Sequence, residues 1–397
     1  MKIISHFFRA PNLWPAEELH TRRTDWSELF FDLVFAATIS QLGSHLITDY
    51  SLHGVMRYAF SLALVFLAWL GYTTFSTQFS VDDLFQRILI IAQIFLVAVM
   101  AANSTSPLNS QEAAGFGAAY GGIRIILALQ YLRVTRLTAT RRIVIRRIIG
   151  LTVAACVWSG SVFLPVPYRY AAWAVALLID VWNSWLPGRG TVSSPPGATH
   201  FPERFGLMTI ILLGEFVASV LLGIQSQVGW SFPAASAAIL SVALAFALWS
   251  CYSDGASAWE CRHVQNQKDV VLMRVWVALH FLLYLGIGII AIGARRGIAL
   301  PQGAFFSTND EWLISSATAG LMLVIMGIAA TSHRHRNQEK RRLWAVQMTI
   351  AVMAIGLPLV APRMPAAAQL LIIFLCFTVQ TVLLSANQSS RRTPEEI

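Results

Sequence analysis

Long apolar runs alternate with short polar segments along nearly the whole chain. Each run has about 17 to 25 residues, the length that an α-helix needs to cross the hydrocarbon core of a bilayer. The pattern therefore predicts twelve transmembrane helices. They cover approximately 28–47, 55–78, 84–102, 113–132, 147–165, 168–186, 205–224, 233–254, 270–293, 312–331, 343–361 and 365–385.

The first apolar run, SELFFDLVFAATISQLGSHL, carries four polar side chains. Glu28 and Asp32 are four residues apart and share one face of a helix, while Gln41 and His45 share roughly the opposite face. Such groups are costly to place in hydrocarbon. A span that is polar on two faces is therefore expected to be surrounded by other helices.

Composition supports this interpretation. Hydrophobic residues make up 56% of the chain and charged residues 12%, against about a quarter charged in an average soluble domain. With a mean hydropathy of +0.60, the chain is predicted to be an all-α, polytopic membrane protein. Its four cysteines show no spacing typical of a disulfide framework or a zinc site, and no cofactor is predicted.

The basic residues predict the orientation. If both termini share a side, that side holds most of the 29 Lys and Arg residues. The positive-inside rule then places both termini in the cytoplasm, and we expect the bacterial cytoplasmic membrane. The net charge of +9 needs no nucleic acid to explain it. Anionic lipid headgroups are an alternative partner for the basic loops, and a homo-oligomer is compatible with the sequence.

The two halves of the chain resemble each other. The segment that starts the seventh run matches the segment that starts the first, which pairs Glu203 with Glu28, and Trp249 matches Trp69 in the same way. Two parallel six-helix repeats are therefore predicted. The predicted divisions are a cytoplasmic or interfacial segment 1–25, a first repeat 26–190, a second repeat 191–386 and a cytoplasmic tail 387–397.

Several ionisable side chains fall inside the predicted spans and are functional candidates by default, since an unpaired charge costs a few kcal/mol there. In the alternative interpretation Asp32 or Glu215 merely neutralises Arg124 between helices. The sequence alone leaves the partner of Arg124 open among Asp32, Asp180 and Glu215. The candidates for a transport or proton path are Glu28, Asp32, Arg124, Asp180, Glu215 and His280.

The mid-chain run HFPERFGLMTIILLGE has two interpretations. His200 and Glu203 are three residues apart and are candidate metal ligands, but no further ligand completes a set nearby. The alternative is a helix start with Glu203 favoured by the helix dipole. Gly206 and Gly214 are interpreted as positions that permit close helix packing.

At the second cytoplasmic loop, Asp83 is predicted to be a helix-start carboxylate that can also pair with Arg87, four residues on. Serine nucleophile elbows, Walker motifs and dinucleotide fingerprints are absent from the sequence. No enzymatic activity is therefore predicted.

Three motifs carry a resemblance to a known family: ELFFDLVFAATISQL, FSVDDLFQR and HFPERFGLMTIILLGE resemble the bacterial low temperature requirement A family of multi-pass membrane proteins. The similarity runs from about Trp26 to the last span. The resemblance implies a membrane protein required under cold or similar stress and brings no defined chemistry with it. LWSCYSDGA departs from the family pattern around Asp254. The family pattern falls on Glu28, Phe31, Asp32, Gln41, Asp83, Arg87, His200, Glu203, Arg204, Phe205, Gly206, Gly214 and Glu215.

Function is weighed by class. The first hypothesis is a secondary transporter, proton-coupled through a buried carboxylate such as Asp32 or Glu215. The main alternative is a non-enzymatic sensor or scaffold that responds to the state of the bilayer. An ion channel and a lipid-modifying enzyme are less favoured, because neither a carbonyl filter nor a clustered acid and base is visible in the sequence.

Overall fold

The computed structural model describes residues 12–13, 26–81, 83–103, 110–137, 141–165, 168–185, 197–227, 229, 231–255, 262, 264–331 and 339–389. Within these ranges the chain forms twelve α-helices, which confirms the predicted all-α class. The helices are α1 (Trp26–Thr48), α2 (Leu52–Gln78), α3 (Leu84–Ala102), α4 (Ser110–Arg133), α5 (Arg141–Ser161), α6 (Tyr168–Trp185), α7 (His200–Gln225), α8 (Phe232–Gly255), α9 (Gln267–Ile298), α10 (Thr308–Ala330), α11 (Glu339–Val360) and α12 (Ala366–Ser389).

Ten of these helices are long and apolar enough to cross a membrane. This confirms a polytopic membrane protein. The exceptions are α6, an 18-residue helix that carries Arg169 and Asp180, and α11, whose apolar part is the shorter stretch Trp344–Val360.

Some predictions fall outside the described residues. They include most of the segment 1–25, most of the tail 387–397 and the side chain of Asp254. In the N-terminal segment the described residues form β1 (Asn12–Leu13), which pairs antiparallel with β2 (Phe79–Ser80). The two six-helix repeats stay a prediction.

Contacts divide the chain into two compact units. Unit 1 comprises residues 1–42, 60–204 and 261–274, and unit 2 comprises residues 43–59, 205–260 and 275–397. Four helices, α1, α2, α7 and α9, therefore supply residues to both units.

Unit 1 has an aromatic core at the end of α2. Phe75 lies edge-on to Tyr131 of α4, with ring centroids 5.2 Å apart, and both are buried together with Phe79 and Leu151. A capped helix start stands beside this core. Asp83 adopts an extended conformation before α3 and accepts a hydrogen bond from the Gln86 N–H at 2.8 Å.

The predicted helix-start carboxylate is thus confirmed at Asp83. This side chain also forms an ion pair with Arg133 at the end of α4, and Arg133 donates a second hydrogen bond to Gln86 Oε1 at 3.2 Å. The sequence did not indicate Arg133 as a partner. The pair with Arg87 stays a prediction.

In unit 2, α8 packs along α12 and α10 packs along α11. Helix α10 starts with a capping box, in which the Ser307 hydroxyl and the Asp310 carboxylate each accept the backbone N–H of the other. Asp310 also forms an ion pair with Arg296 of α9, in which Arg296 Nε lies 2.9 Å from Asp310 Oδ1. Nearby, the Tyr50 hydroxyl donates to the Ile289 carbonyl oxygen at 2.8 Å, and burial raises the pKa of this phenol well above its ordinary value.

Candidate functional site

The first turns of α1 carry two buried carboxyl groups. Glu28 lies in the first turn, where the helix N-terminus favours an acidic side chain, and Asp32 follows one turn later on the same face. Their exposed fractions are 3% and 0%. Two carboxylates are therefore enclosed at the same end of one helix.

The first turns of α7 carry the complementary groups. His200 and Arg204 are four residues apart and share a face, and both are buried. Glu203 occupies the same first turn, but 31% of its side-chain surface stays exposed. We call Glu28, Asp32, His200, Glu203 and Arg204 the His200 network; all five residues belong to unit 1.

Arg204 donates two parallel hydrogen bonds to the carboxylate of Asp32. Its Nε donates to Asp32 Oδ2 at 2.9 Å, and its Nη2 donates to Oδ1. The Trp69 indole N–H of α2 also donates to Oδ1, at 2.7 Å. Bidentate arginine–carboxylate pairs of this kind are among the strongest polar contacts in proteins, so Arg204 and Trp69 hold the Asp32 side chain firmly in place.

The remaining nitrogen of Arg204 faces a second carboxylate. Nη1 lies 3.5 Å from Glu28 Oε1 and donates to the Ser76 hydroxyl of α2 at 3.3 Å. One guanidinium therefore serves both Glu28 and Asp32. Its contact with Glu28 is longer than its contacts with Asp32.

Glu28 also contacts His200, which lies between two glutamates. His200 Nε2 is 3.0 Å from Glu28 Oε2, and Nδ1 is 3.3 Å from Glu203 Oε2. A neutral imidazole has one N–H and one lone pair. Hydrogen bonds at both nitrogens therefore require either an imidazolium or a protonated glutamate, and the arrangement fits one proton held among these three groups.

The contacts around the imidazole are compatible with that proton. Arg204 contacts the carboxylates of Glu28 and Asp32, whereas His200 contacts those of Glu28 and Glu203. A proton on His200 places a positive charge between two glutamate carboxylates, and Glu203 is the partly exposed one of the two.

A second buried arginine lies elsewhere in unit 1. Arg124 of α4 donates from Nε to Asp180 Oδ2 of α6 at 3.1 Å, from Nη2 to the Tyr120 hydroxyl and from Nη1 to the Leu67 carbonyl at 3.4 Å. Tyr120 also donates to Asp180, at 3.1 Å. Asp180 is thus the partner of Arg124, and the alternative in which Asp32 or Glu215 neutralises it is wrong.

His280 of α9 sits in an aromatic environment in unit 2. Its Nδ1 donates to the Trp276 carbonyl at 2.8 Å, and its Nε2 lies 3.0 Å from the Tyr252 hydroxyl. The Trp276 and Phe205 rings lie 4.1 and 5.0 Å from the imidazole centroid. A neutral imidazole satisfies both hydrogen bonds, so this geometry does not call for an added proton.

The other predicted residues are dispersed. Phe31 is buried and packs against Tyr72, with the two ring centroids 4.2 Å apart. Gln41 is exposed. Glu215 is half-buried, and no hydrogen bond or ion pair reaches its carboxylate within the described part of the chain. A Cβ added to Gly214 would meet no described atom within 4 Å, so the described residues do not pack closely against Gly214, and its predicted packing role stays a prediction. Gly206 is buried.

The sequence did not predict the link between Asp32 and Arg204. Arg204 was recognised only as part of a motif, although its spacing from His200 is a signal that both share one helix face. The contributions of Trp69 and Ser76 had no such signal. Among the described residues, no group of three or more His, Cys, Asp or Glu side chains is arranged to hold a metal ion.

Comparison with known proteins identifies the family of this chain. The sequence model of the bacterial low temperature requirement A protein matches residues 23–380, a range that includes the whole His200 network. The chain belongs to the low temperature requirement A family. An uncharacterized protein of Rhizobium meliloti (strain 1021) is 24% identical over 216 residues, which cover 51% of this chain and 52% of that relative. The chain thus matches about half the length of this curated relative.

Proposed function

We propose that this protein is a proton-coupled secondary transporter that lies in the bacterial cytoplasmic membrane with both termini in the cytoplasm. The observation that supports the proposal is the imidazole of His200 between the carboxylates of Glu28 and Glu203. Buried ionisable groups of this kind mark proton relays in pumps and transporters.

The proposed path starts at Glu203, the most exposed member of the network, and continues through His200 to Glu28. Arg204 connects Glu28 to Asp32. Loss of the proton changes the charge that Arg204 must balance, and this change alters the contacts that hold the starts of α1 and α7 together. Protonation is thereby coupled to the arrangement of the helices, as alternating access requires.

The test is proton flux into proteoliposomes that contain a pH-sensitive dye, under an imposed pH gradient and with a panel of small solutes. We expect Glu28→Gln and His200→Gln to abolish the flux, because neither variant retains the shared proton. Glu215→Gln is the matched control: it makes the same Glu-to-Gln change on α7 outside the network, and we expect it to retain the flux.

Two outcomes would contradict the proposal. One is unchanged flux in His200→Gln. The other is no flux with any gradient or solute from wild-type protein that is shown to be folded, and this result would favour a sensor or scaffold.

A further inference from the structure

The first two turns of α5 carry four arginines and no acidic residue: Arg141, Arg142, Arg146 and Arg147. The N-terminus of a helix has a partial positive charge and favours acidic side chains there, not basic ones. The neighbouring sequence does not balance this charge either, since it contains no Asp or Glu after Glu112 until Asp180. The start of α5 therefore concentrates positive charge against the preference of the helix.

No carboxylate in the described part of the chain forms an ion pair with these four arginines. Asp83, at the start of α3, pairs with Arg133 instead. The guanidinium carbon of Arg147 lies 5.8 Å from the centroid of the Tyr131 ring, and Arg274 of α9 brings a further positive charge close to Arg147. An anion is thus the class of ligand that complements this end of α5.

Two of the arginines lie on the same face of α5 as an exposed apolar stripe. Arg142, Arg146, Ile149 and Val153 follow one another at spacings of three and four residues, so they share one face. Both arginines are exposed, and the exposed fractions of Ile149 and Val153 are 59% and 45%. The opposite face, which includes Leu151, is buried in the protein. In a membrane helix such an exposed apolar face contacts lipid chains.

The arginines reach the level at which lipid headgroups lie. Side chains on a helix lean towards its N-terminus, so Arg142 and Arg146 extend from α5 towards the membrane surface. Val153 lies seven residues after Arg146, about 10 Å further along the helix. A molecule with an anionic group and an attached hydrocarbon chain can therefore contact the arginines and the apolar stripe at the same time.

We propose that the start of α5 binds an anionic phospholipid. Arg142 and Arg146 donate hydrogen bonds to the phosphate, whose oxygens match the planar fork of a guanidinium, and Ile149 and Val153 contact an acyl chain. The continuity of the charged and apolar surfaces favours a lipid over a soluble anion, which would use only the arginines. This inference does not depend on the transport function.

The experiment is native mass spectrometry of the purified full-length protein in detergent, which counts bound lipids. Phosphatidylglycerol and phosphatidylcholine with identical acyl chains are added separately, so that only the headgroup and its net charge differ. We expect phosphatidylglycerol to bind about tenfold more tightly or better, as two arginines at a membrane surface predict. Inorganic phosphate is added as a competitor, and we expect it not to displace the lipid.

The variants locate the site. Arg142→Gln combined with Arg146→Gln is expected to remove the preference for phosphatidylglycerol. Arg391→Gln combined with Arg392→Gln removes the same charge elsewhere in the sequence and is expected to retain the preference. Arg142→Lys combined with Arg146→Lys retains the charge that orients a membrane protein, and it is expected to weaken the binding several-fold because an ammonium group lacks the arginine fork.

Several results would overturn the proposal. Equal affinity of the wild-type protein for the two lipids is one, and an equal loss of preference in the two Gln double variants is another. Wild-type affinity in the Lys double variant would show a general effect of charge in place of an arginine site, even if the Gln double variant does not fold. Displacement by inorganic phosphate would assign the arginines to a soluble anion, and a dimer that excludes the lipid would assign this face to a second copy of the chain.

Discussion

Two buried arginines in the same unit differ in how their charge is balanced. Arg124 meets one carboxylate, and its other donors face a hydroxyl and a carbonyl oxygen, so the charges cancel without any added proton. Arg204 contacts two carboxylates, and one of them, Glu28, is also contacted by His200, which in turn lies beside Glu203. The Arg124 site is an ion pair between helices, whereas for the Arg204 site we propose a charge that changes with one proton.

This difference teaches that burial and pairing alone do not identify a functional site in a membrane bundle. Both arginines are almost fully enclosed. What separates them is the number of carboxylates in contact with the guanidinium, which is one for Arg124 and two for Arg204. The predicted repeat adds to this contrast: Glu28 and Glu203, which it pairs, lie on either side of one imidazole.

The largest expected effect comes from Arg204→Gln. Two carboxylates then lose their shared cation, and removal of one partner from a buried ion pair costs about 3–5 kcal/mol. We expect a large decrease in the free energy of unfolding together with loss of proton flux. Denaturant unfolding of the purified protein measures the free energy of unfolding. An unfolding curve equal to that of wild type would contradict the His200 network.

Asp180→Asn removes the charge that balances Arg124. It should lower the free energy of unfolding by about 2–3 kcal/mol, less than Arg204→Gln does, because the amide oxygen can still accept hydrogen bonds from Arg124 and Tyr120. The flux per folded molecule should stay at the wild-type level. Flux normalised to the folded fraction tests this expectation. A selective loss of flux would show that the Arg124 site takes part in transport.

Asp83→Ala is expected to cost about 1–2 kcal/mol, since it removes the cap of α3 and the partner of Arg133. Asp83→Asn retains the capping oxygen and should cost less. Neither variant should change the normalised flux. Thermal unfolding of the two variants side by side separates the cap from the ion pair, and equal losses would show that the ion pair contributes most.

His200→Gln has the smallest expected effect on stability, about 1 kcal/mol, because an amide can still bond to one of the two glutamates. It should nevertheless abolish proton flux. This combination would separate a functional role of the His200 network from a structural one, since the variant that lowers stability least would lose all proton flux. Stability reduced as much as in Arg204→Gln would indicate a mainly structural histidine.

Much of the fold could be predicted because apolar runs of membrane length are a strong signal. All twelve described helices lie close to the predicted runs. The length of α9, 32 residues, exceeds its predicted run because Gln267 to Asp269 and Ala294 to Ile298 extend the helix at its two ends.

The site was predictable only in part. Spacing of four placed Glu28 with Asp32 on one face, and the motif around His200 marked a second region. Nothing in a single sequence indicates which helices meet, so the pairing of Asp32 with Arg204 had to come from tertiary structure. For the same reason Glu215, a mid-span carboxylate, was expected to be as important as Asp32, although it stands outside the network in the described chain.

The protonation state of His200 is the quantity that decides between a proton site and a structural tie. Magnetic resonance of isotope-labelled histidine distinguishes an imidazolium from either neutral tautomer, and the signal of His200 among the nine histidines is identified by its absence in His200→Gln. We predict that this signal changes from imidazolium to neutral as the pH rises and that Glu28→Gln alters the transition while Glu215→Gln does not. A His200 signal that stays neutral at every pH, in protein whose two glutamates also bind no proton, would contradict the proposed proton site.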